Sequence, residues 1–161
     1  MPFFRHVDSV EQPQQYGLII AEKPSVARAI AYALSSRVRT LPDQSYRTPV
    51  YSFSFNNQEW LATSVIGHLM EIDFVEELNN WDLDDRILLK EGNVRWQLGE
   101  DGEQLVRQLS VLAKSARAVY MALDNDEEGE NIAFEIVKLL KLDEKNVLRM
   151  RFSSVTPDAV K

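Results

Sequence analysis

The stretch VYMALDNDEEGENIAFEIV, residues 119–137, decides the fold. It opens on an apolar run, passes six acidic side chains between Asp124 and Glu135 with no Lys or Arg among them, and ends on apolar residues at helical spacing. AVYMAL, residues 118–123, reads as a buried strand. EGENIAFEIVKLL, residues 128–140, reads as an amphipathic helix with Ile132, Phe134, Ile136 and Leu139 as its apolar members. Gly129 permits a tight turn from strand to helix, and Glu128 and Glu130 fall in the first helical turn, where the macrodipole favours acids.

In that turn Asp124, Asp126 and Glu128 are spaced by two, so an extended chain projects them to one side. Two carboxylates about 4 Å apart repel by roughly 4 kcal/mol at an effective dielectric near 20. Such a cluster calls for a cation or a shared proton, and hard oxygen ligands suit magnesium, which takes one or two carboxylates and keeps several waters. The plain alternative is a solvated helix N-terminus. Against it stands the position at the carboxyl end of a buried-type strand, where open α/β sheets place their ligands. A calcium loop is a further alternative, since DNDEEGENIAFE has acids at the first, third and fifth positions and Glu135 at the twelfth. It fits less well, because Glu128 at the fifth position and Asn131 at the eighth depart from the loop pattern and an EF-hand is entered by a helix.

Working outward, GLIIA (residues 17–21) is a second buried-type strand, followed by Glu22, Lys23 and the helix-like PSVARAIAYALSS, with Pro24 at its start and Val26, Ala29, Ile30 and Ala33 on one face. TPVYSFSF and EWLATSVIG, separated by NNQ, read as a β-hairpin. Residues 67–98, which include His68, read as an irregular insertion. A helix over 103–116 presents Leu105, Leu109 and Leu112, and NVLRMRF (146–152) is a third strand. Thr156 and Pro157 start another helix, so the chain is expected to continue into a following segment at 153–161. Residues 1–16 form an arm without sustained period. The expectation is one α/β domain over residues 17–152 with a Rossmann-like, mainly parallel sheet flanked by helices and a β-hairpin insertion.

Composition agrees with a globular chain: 161 residues, 45% hydrophobic and 27% charged. The absence of Cys removes disulfides, thiolate metal sites and a Cys nucleophile. With no apolar stretch of about 20 residues, a membrane span is not expected, and the cytoplasm, in association with the nucleoid, is the expected location. The net charge of -7 repels a polyanion as a whole, so contact with DNA must rest on a local basic surface or a bridging cation. Lys23, Arg28, Arg37, Arg39 and Arg47 make the first third the more basic part.

In a doubly wound sheet the carboxyl ends of neighbouring parallel strands share one crevice, so Glu22 is expected to face Asp124 and Asp126. A carboxyl among carboxylates is a candidate general acid, and Lys23 at a helix N-terminus is a candidate phosphate contact. The glycines of a Walker loop or a dinucleotide fingerprint are missing.

The pair LIIAEKPSVARAIA and ALDNDEEGENIAFEI, in this order and about a hundred residues apart, resembles the Toprim domain of type IA DNA topoisomerases, particularly the topoisomerase III and archaeal branch. TSVIGHLMEIDF is similar to that family's Gly-His-Leu segment, and RMRFSSVTPDAV to the stretch leading out of the domain. The resemblance covers roughly residues 17–161. It implies a magnesium-assisted site for cleaving and resealing a single DNA strand: Glu22 protonates the leaving 3′ oxygen, Lys23 lies beside the scissile phosphate, and Asp124 and Asp126 hold Mg2+ with Glu128 assisting. His68 is an implied DNA contact, and Arg28, in the more basic first third, is a candidate one. Where this family commonly has Arg, position 127 is Glu. The family's nucleophilic Tyr lies in a separate, downstream domain, and none of the five tyrosines here matches its motif. This chain alone is therefore expected not to relax DNA. A free-standing Toprim nuclease or primase-like enzyme, and a binding module that senses divalent metal, are the alternatives. Trp60, Trp81, Trp96 and Phe134 are candidate base-stacking residues, although core packing is the commoner role at such spacings.

Overall fold

The computed structural model describes residues 15–42, 45–74, 94–99, 102–152 and 154–156. The order is β1 (Tyr16–Ala21), α1 (Pro24–Leu34), β2 (Val38–Thr40), β3 (Tyr51–Phe55), β4 (Gln58–Ser64), β5 (Met70–Phe74), β6 (Val94–Leu98), α2 (Gly102–Lys114), β7 (Ala116–Ala122), α3 (Glu127–Leu140), a 3-10 turn at Glu144–Asn146 and β8 (Val147–Arg149). Six strands form one sheet in the order β2-β3-β4-β1-β7-β8. From β4 to β8 the neighbours run parallel, while β2–β3 and β3–β4 are antiparallel. The expected α/β class with a mainly parallel sheet is what the chain adopts.

β1 is central because it is apolar on both faces: Leu18, Ile19, Ile20 and Ala21 are all at most 1% exposed. Ile19 and Ala21 pack with Ala27, Ile30 and Ala31 of α1. Leu18 and Ile20 pack on the other side with Leu105, Leu109 and Leu112 of α2 and Ile132 and Ile136 of α3. The buried face of α1 is thus turned by one residue from the expected one, because the alanines at 27 and 31 allow the helix to lie close to the sheet.

The hairpin is part of the main sheet. Asn56 and Asn57 close it as a two-residue turn with φ of 52° and 59°, the left-handed pair that matches strand twist and that Asn tolerates. Behind the hairpin, Gln108 of α2 accepts the N–H groups of Arg47 and Thr48 and donates to the Thr48 carbonyl, satisfying a buried polar layer. Residues 70–74 and 94–98, expected to be irregular, pair as an antiparallel ribbon apart from the main sheet. The third strand is shorter than expected, and the helix expected after Thr156 lies outside the described residues, as do residues 1–14 of the arm and Trp81. β7, a strand, enters the acidic turn, which is not how a calcium loop is entered. No helix among the described residues is long and apolar enough to cross a membrane.

β1 begins at Tyr16, which the sequence places in the arm, because its phenol donates to the carbonyl of Leu112 at 2.7 Å and ties the strand to α2. Burial, with Tyr46 nearby, raises that hydroxyl above its ordinary value of 10.0. A raised phenol supplies stability that is complete below the unfolded value and is lost as pH climbs through the folded one. Urea midpoints measured across alkaline pH should therefore fall above about pH 10, and the fall should be shallower in Tyr16→Phe.

Candidate active site

Three adjacent parallel strands, β4, β1 and β7, end together, with Ala21 in register with both Ser64 and Ala122. β4 is reached from β1 past α1 on one face of the sheet, and β7 is reached past α2 on the other. β1 is therefore the point where the winding reverses, and a crevice opens beyond its carboxyl end. Glu22, the residue after β1, is only 8% exposed. Its Oε2 accepts the backbone N–H of Asp124 at 3.2 Å, a contact made possible because β7 runs one register position beside β1. The Lys23 ammonium lies 3.9 Å from Glu22 Oε1 and 4.0 Å from Asp124 Oδ2, joining the two strand ends across the crevice.

The extended spacing of the acids stops at Asp126. That residue is the N-cap of α3, and its Oδ1 accepts the N–H of Gly129 at 2.8 Å. Glu127 is the first helical residue and is solvent-exposed. Glu128, one helical step on, turns toward the connection from β4 to β5, where its Oε1 is 3.7 Å from His68 Nε2. So Glu22, Lys23 and Asp124 come together, Asp126 serves as the cap, and Glu128 pairs with His68 at the rim. Gly67, with φ of 70°, makes the left-handed turn that precedes His68. Among the described residues no group of three or more His, Asp or Glu side chains stands close enough to hold an ion.

The two helix N-termini at the crevice differ in kind. α3 carries Glu127, Glu128 and Glu130 in its first turn behind the Asp126 cap. α1 has no acid in its first turn and no side-chain cap, only Lys23 before Pro24. One end is thus loaded with negative charge, and the other is left positive and open to an anion. Arg28 is exposed one turn into α1, with its guanidinium 5.6 Å from the centre of the Tyr32 ring.

Two residues of the site escaped the sequence reading. Arg149, at the end of β8, donates to the carbonyls of Met121, Leu123 and Asp124 at 3.1, 2.8 and 2.6 Å and to Glu130 Oε1 at 2.8 Å. Its side chain is 17% exposed, and it fixes the backbone of the acidic turn from behind. Nothing in NVLRMRF separates this Arg from a solvated one; only parallel pairing with β7 brings it there. Arg149→Ala should lower the unfolding free energy by about 2 kcal/mol in chemical denaturation, given bonds from a charged donor to several acceptors. Arg149→Lys should recover little of that, since a lysine has no planar fork.

The second is Glu135, offered by the sequence only as the twelfth position of a calcium loop and in fact 7% exposed in the middle of α3. Its Oε1 is 2.8 Å from His68 Nδ1, and its Oε2 accepts the backbone N–H groups of Leu69 and Met70 at 3.0 and 3.3 Å. The neighbouring Phe134, expected on the apolar face, is 62% exposed, so the carboxylate is inside and the aromatic outside. Trp96 is likewise 60% exposed, whereas Trp60 packs against Tyr120 with Arg117 over its ring.

Comparison with known proteins gives the family of the chain. The pattern of the family described as "Toprim domain" matches residues 17–155. The chain is 38% identical to DNA topoisomerase 3 of Dictyostelium discoideum over 148 residues, covering 87% of this chain and 18% of the relative. It is 34% identical to DNA topoisomerase 3-alpha of Homo sapiens over 151 residues, covering 89% and 15%. With DNA topoisomerase 1 of Pyrococcus horikoshii it shares 33% over 147 residues, covering 86% and 20%. The chain spans at most about a fifth of the length of these relatives.

Proposed function

The chain belongs to the Toprim family, and from that membership we propose that it is the Toprim portion of a type IA DNA topoisomerase of the topoisomerase III branch. In that role it supplies the general acid and the Mg2+ site for cleaving and rejoining one DNA strand, while a downstream domain of the same polypeptide brings the Tyr nucleophile. The observation that carries this reading is the convergence of Glu22, Lys23 and Asp124 at the carboxyl ends of β1 and β7.

The residues divide the work by charge. The open N-terminus of α1 and the Lys23 ammonium suit the scissile phosphate. Glu22, shielded from bulk water but joined to the crevice, would hand a proton to the 3′ oxygen as the P–O bond breaks, and take it back when that hydroxyl attacks at resealing. Asp124, Asp126 and Glu128 offer hard oxygens at the crevice, and although no three of them stand close enough to enclose an ion, one that takes one or two carboxylates and completes its shell with water and phosphate needs no such cage. Asp124 and Asp126 would hold the magnesium, with Glu128 assisting, and the ion when bound would offset the charge of acids and phosphate alike. The exposed His68 and Arg28 are DNA contacts at the rim, and a single-stranded segment is the substrate that fits, close to the chromosome in nucleoid-associated cytoplasm.

The test is an assay of the purified chain on negatively supercoiled plasmid with magnesium. No relaxation and no nicking is expected. Relaxation would overturn the division of labour proposed here, and nicking that disappears in Asp124→Asn would move the reading to a free-standing nuclease.

A further inference from the structure

We propose that Glu135 is the positioning residue for His68, holding the single proton of the neutral ring on Nδ1 so that Nε2 is the nitrogen turned to the mouth of the crevice. Glu135 Oε2 is occupied by two backbone N–H groups, those of Leu69 and Met70, so the carboxylate is fixed by the loop that carries His68. Its other oxygen, Oε1, is 2.8 Å from Nδ1. A carboxylate is acceptor-only, and a neutral imidazole has one N–H to give, so that N–H is on Nδ1. The ring is thereby turned with Nε2 toward Glu128 Oε1 at 3.7 Å, and in the neutral ring one acceptor faces another there. That arrangement has room for a donor arriving from outside. On the topoisomerase reading, on which this last step rests, the donor class is a hydroxyl or water brought by the nucleic-acid strand. Glu135 touches no substrate; it acts by choosing which ring nitrogen the site sees, as carboxylates do for histidines in many functional sites.

Long-range 15N–1H correlation spectra of the labelled chain, recorded over a pH series, show which ring nitrogen keeps its proton once the imidazolium is lost. His68→Ala identifies the His68 signals against those of His6. The expected spectrum has the proton on Nδ1 of His68. In Glu135→Gln the single side-chain oxygen is needed by the two backbone N–H groups, so the NH2 faces Nδ1 and the proton should move to Nε2. Thermal denaturation of the same sample reports that the variant is folded. A wild-type His68 protonated on Nε2 overturns the proposal, whether or not the variant folds, and so does an unchanged tautomer in a folded Glu135→Gln. Neither result depends on DNA cleavage, so this assignment and the topoisomerase reading fail separately.

Discussion

Replacing Gly129 with alanine is expected to cost about 3 kcal/mol of folding stability and to displace the acidic turn from Glu22. A Cβ at 129 falls inside the van der Waals envelope of the Asp124 carbonyl oxygen and reaches the Asp124 C and N atoms at 3.0 and 3.2 Å. These are backbone atoms, so no rotamer change relieves the overlap. Nor can the backbone shift freely, because the same carbonyl accepts from Arg149 and the Asp124 N–H donates to Glu22. The Gly129 N–H is itself the donor to the Asp126 cap. Relief of the clash must therefore break the cap, the Arg149 bond or the link to Glu22. Urea denaturation gives the cost, and a variant within 0.5 kcal/mol of the parent, roughly the range of an inert surface change, would contradict this account.

The largest effect on activity is expected from Glu22→Gln. In a polypeptide that joins this domain to the Tyr-bearing one, strand cleavage should slow by about 100- to 10,000-fold, the usual share of a positioned general acid. Gln keeps an oxygen for the Asp124 N–H, so the fold should persist while the transferable proton is gone. A suitable measurement is the rate of covalent protein–DNA adduct formation, with resealing slowed in parallel because the same carboxyl takes the proton back. An oligonucleotide carrying a 3′ sulfur leaving group at the scissile bond, which needs little protonation, should narrow the gap between variant and parent. Equal rates with the ordinary substrate would remove Glu22 from the acid role.

Much of the fold was legible because it is written in local patterns. β1 and β7 are short apolar runs, and the helix after β1 starts at Pro24 as its sequence says it should, while the helix after β7 starts one residue before the expected Glu128, behind an Asp126 cap that the extended spacing of the acids concealed. The acidic turn could be read as a candidate site because its charge of one sign lies at the carboxyl end of a buried strand, where open α/β sheets place their ligands. Glu22 was placed opposite it because neighbouring parallel strands of such a sheet end at one crevice. What could not be read were contacts that only tertiary pairing creates. Arg149 is separated from Asp124 by 25 residues, and Glu135 from His68 by 67. Glu135 was hidden further by a neighbour: at helical spacing Phe134 is the obvious core residue, and only the two loop N–H groups and His68 make burial of a carboxylate affordable. The ends of the stretch 67–98 pair as a ribbon although each strand looks unremarkable alone, since its partner lies some twenty residues away.

The Arg149 clamp also bears on the order in which the domain is made. β1, β4 and β7 leave the ribosome with every acid of the crevice already present, but the guanidinium that fixes the turn belongs to β8, an edge strand that pairs with β7 alone. A nascent chain that has emerged only as far as Leu140 carries the carboxylates without their clasp. The charge of the acidic turn is then opposed chiefly by Lys23, so the site should reach its working shape late, when residues 147–149 dock. Synthesis is thus expected to finish the scaffold before it finishes the chemistry.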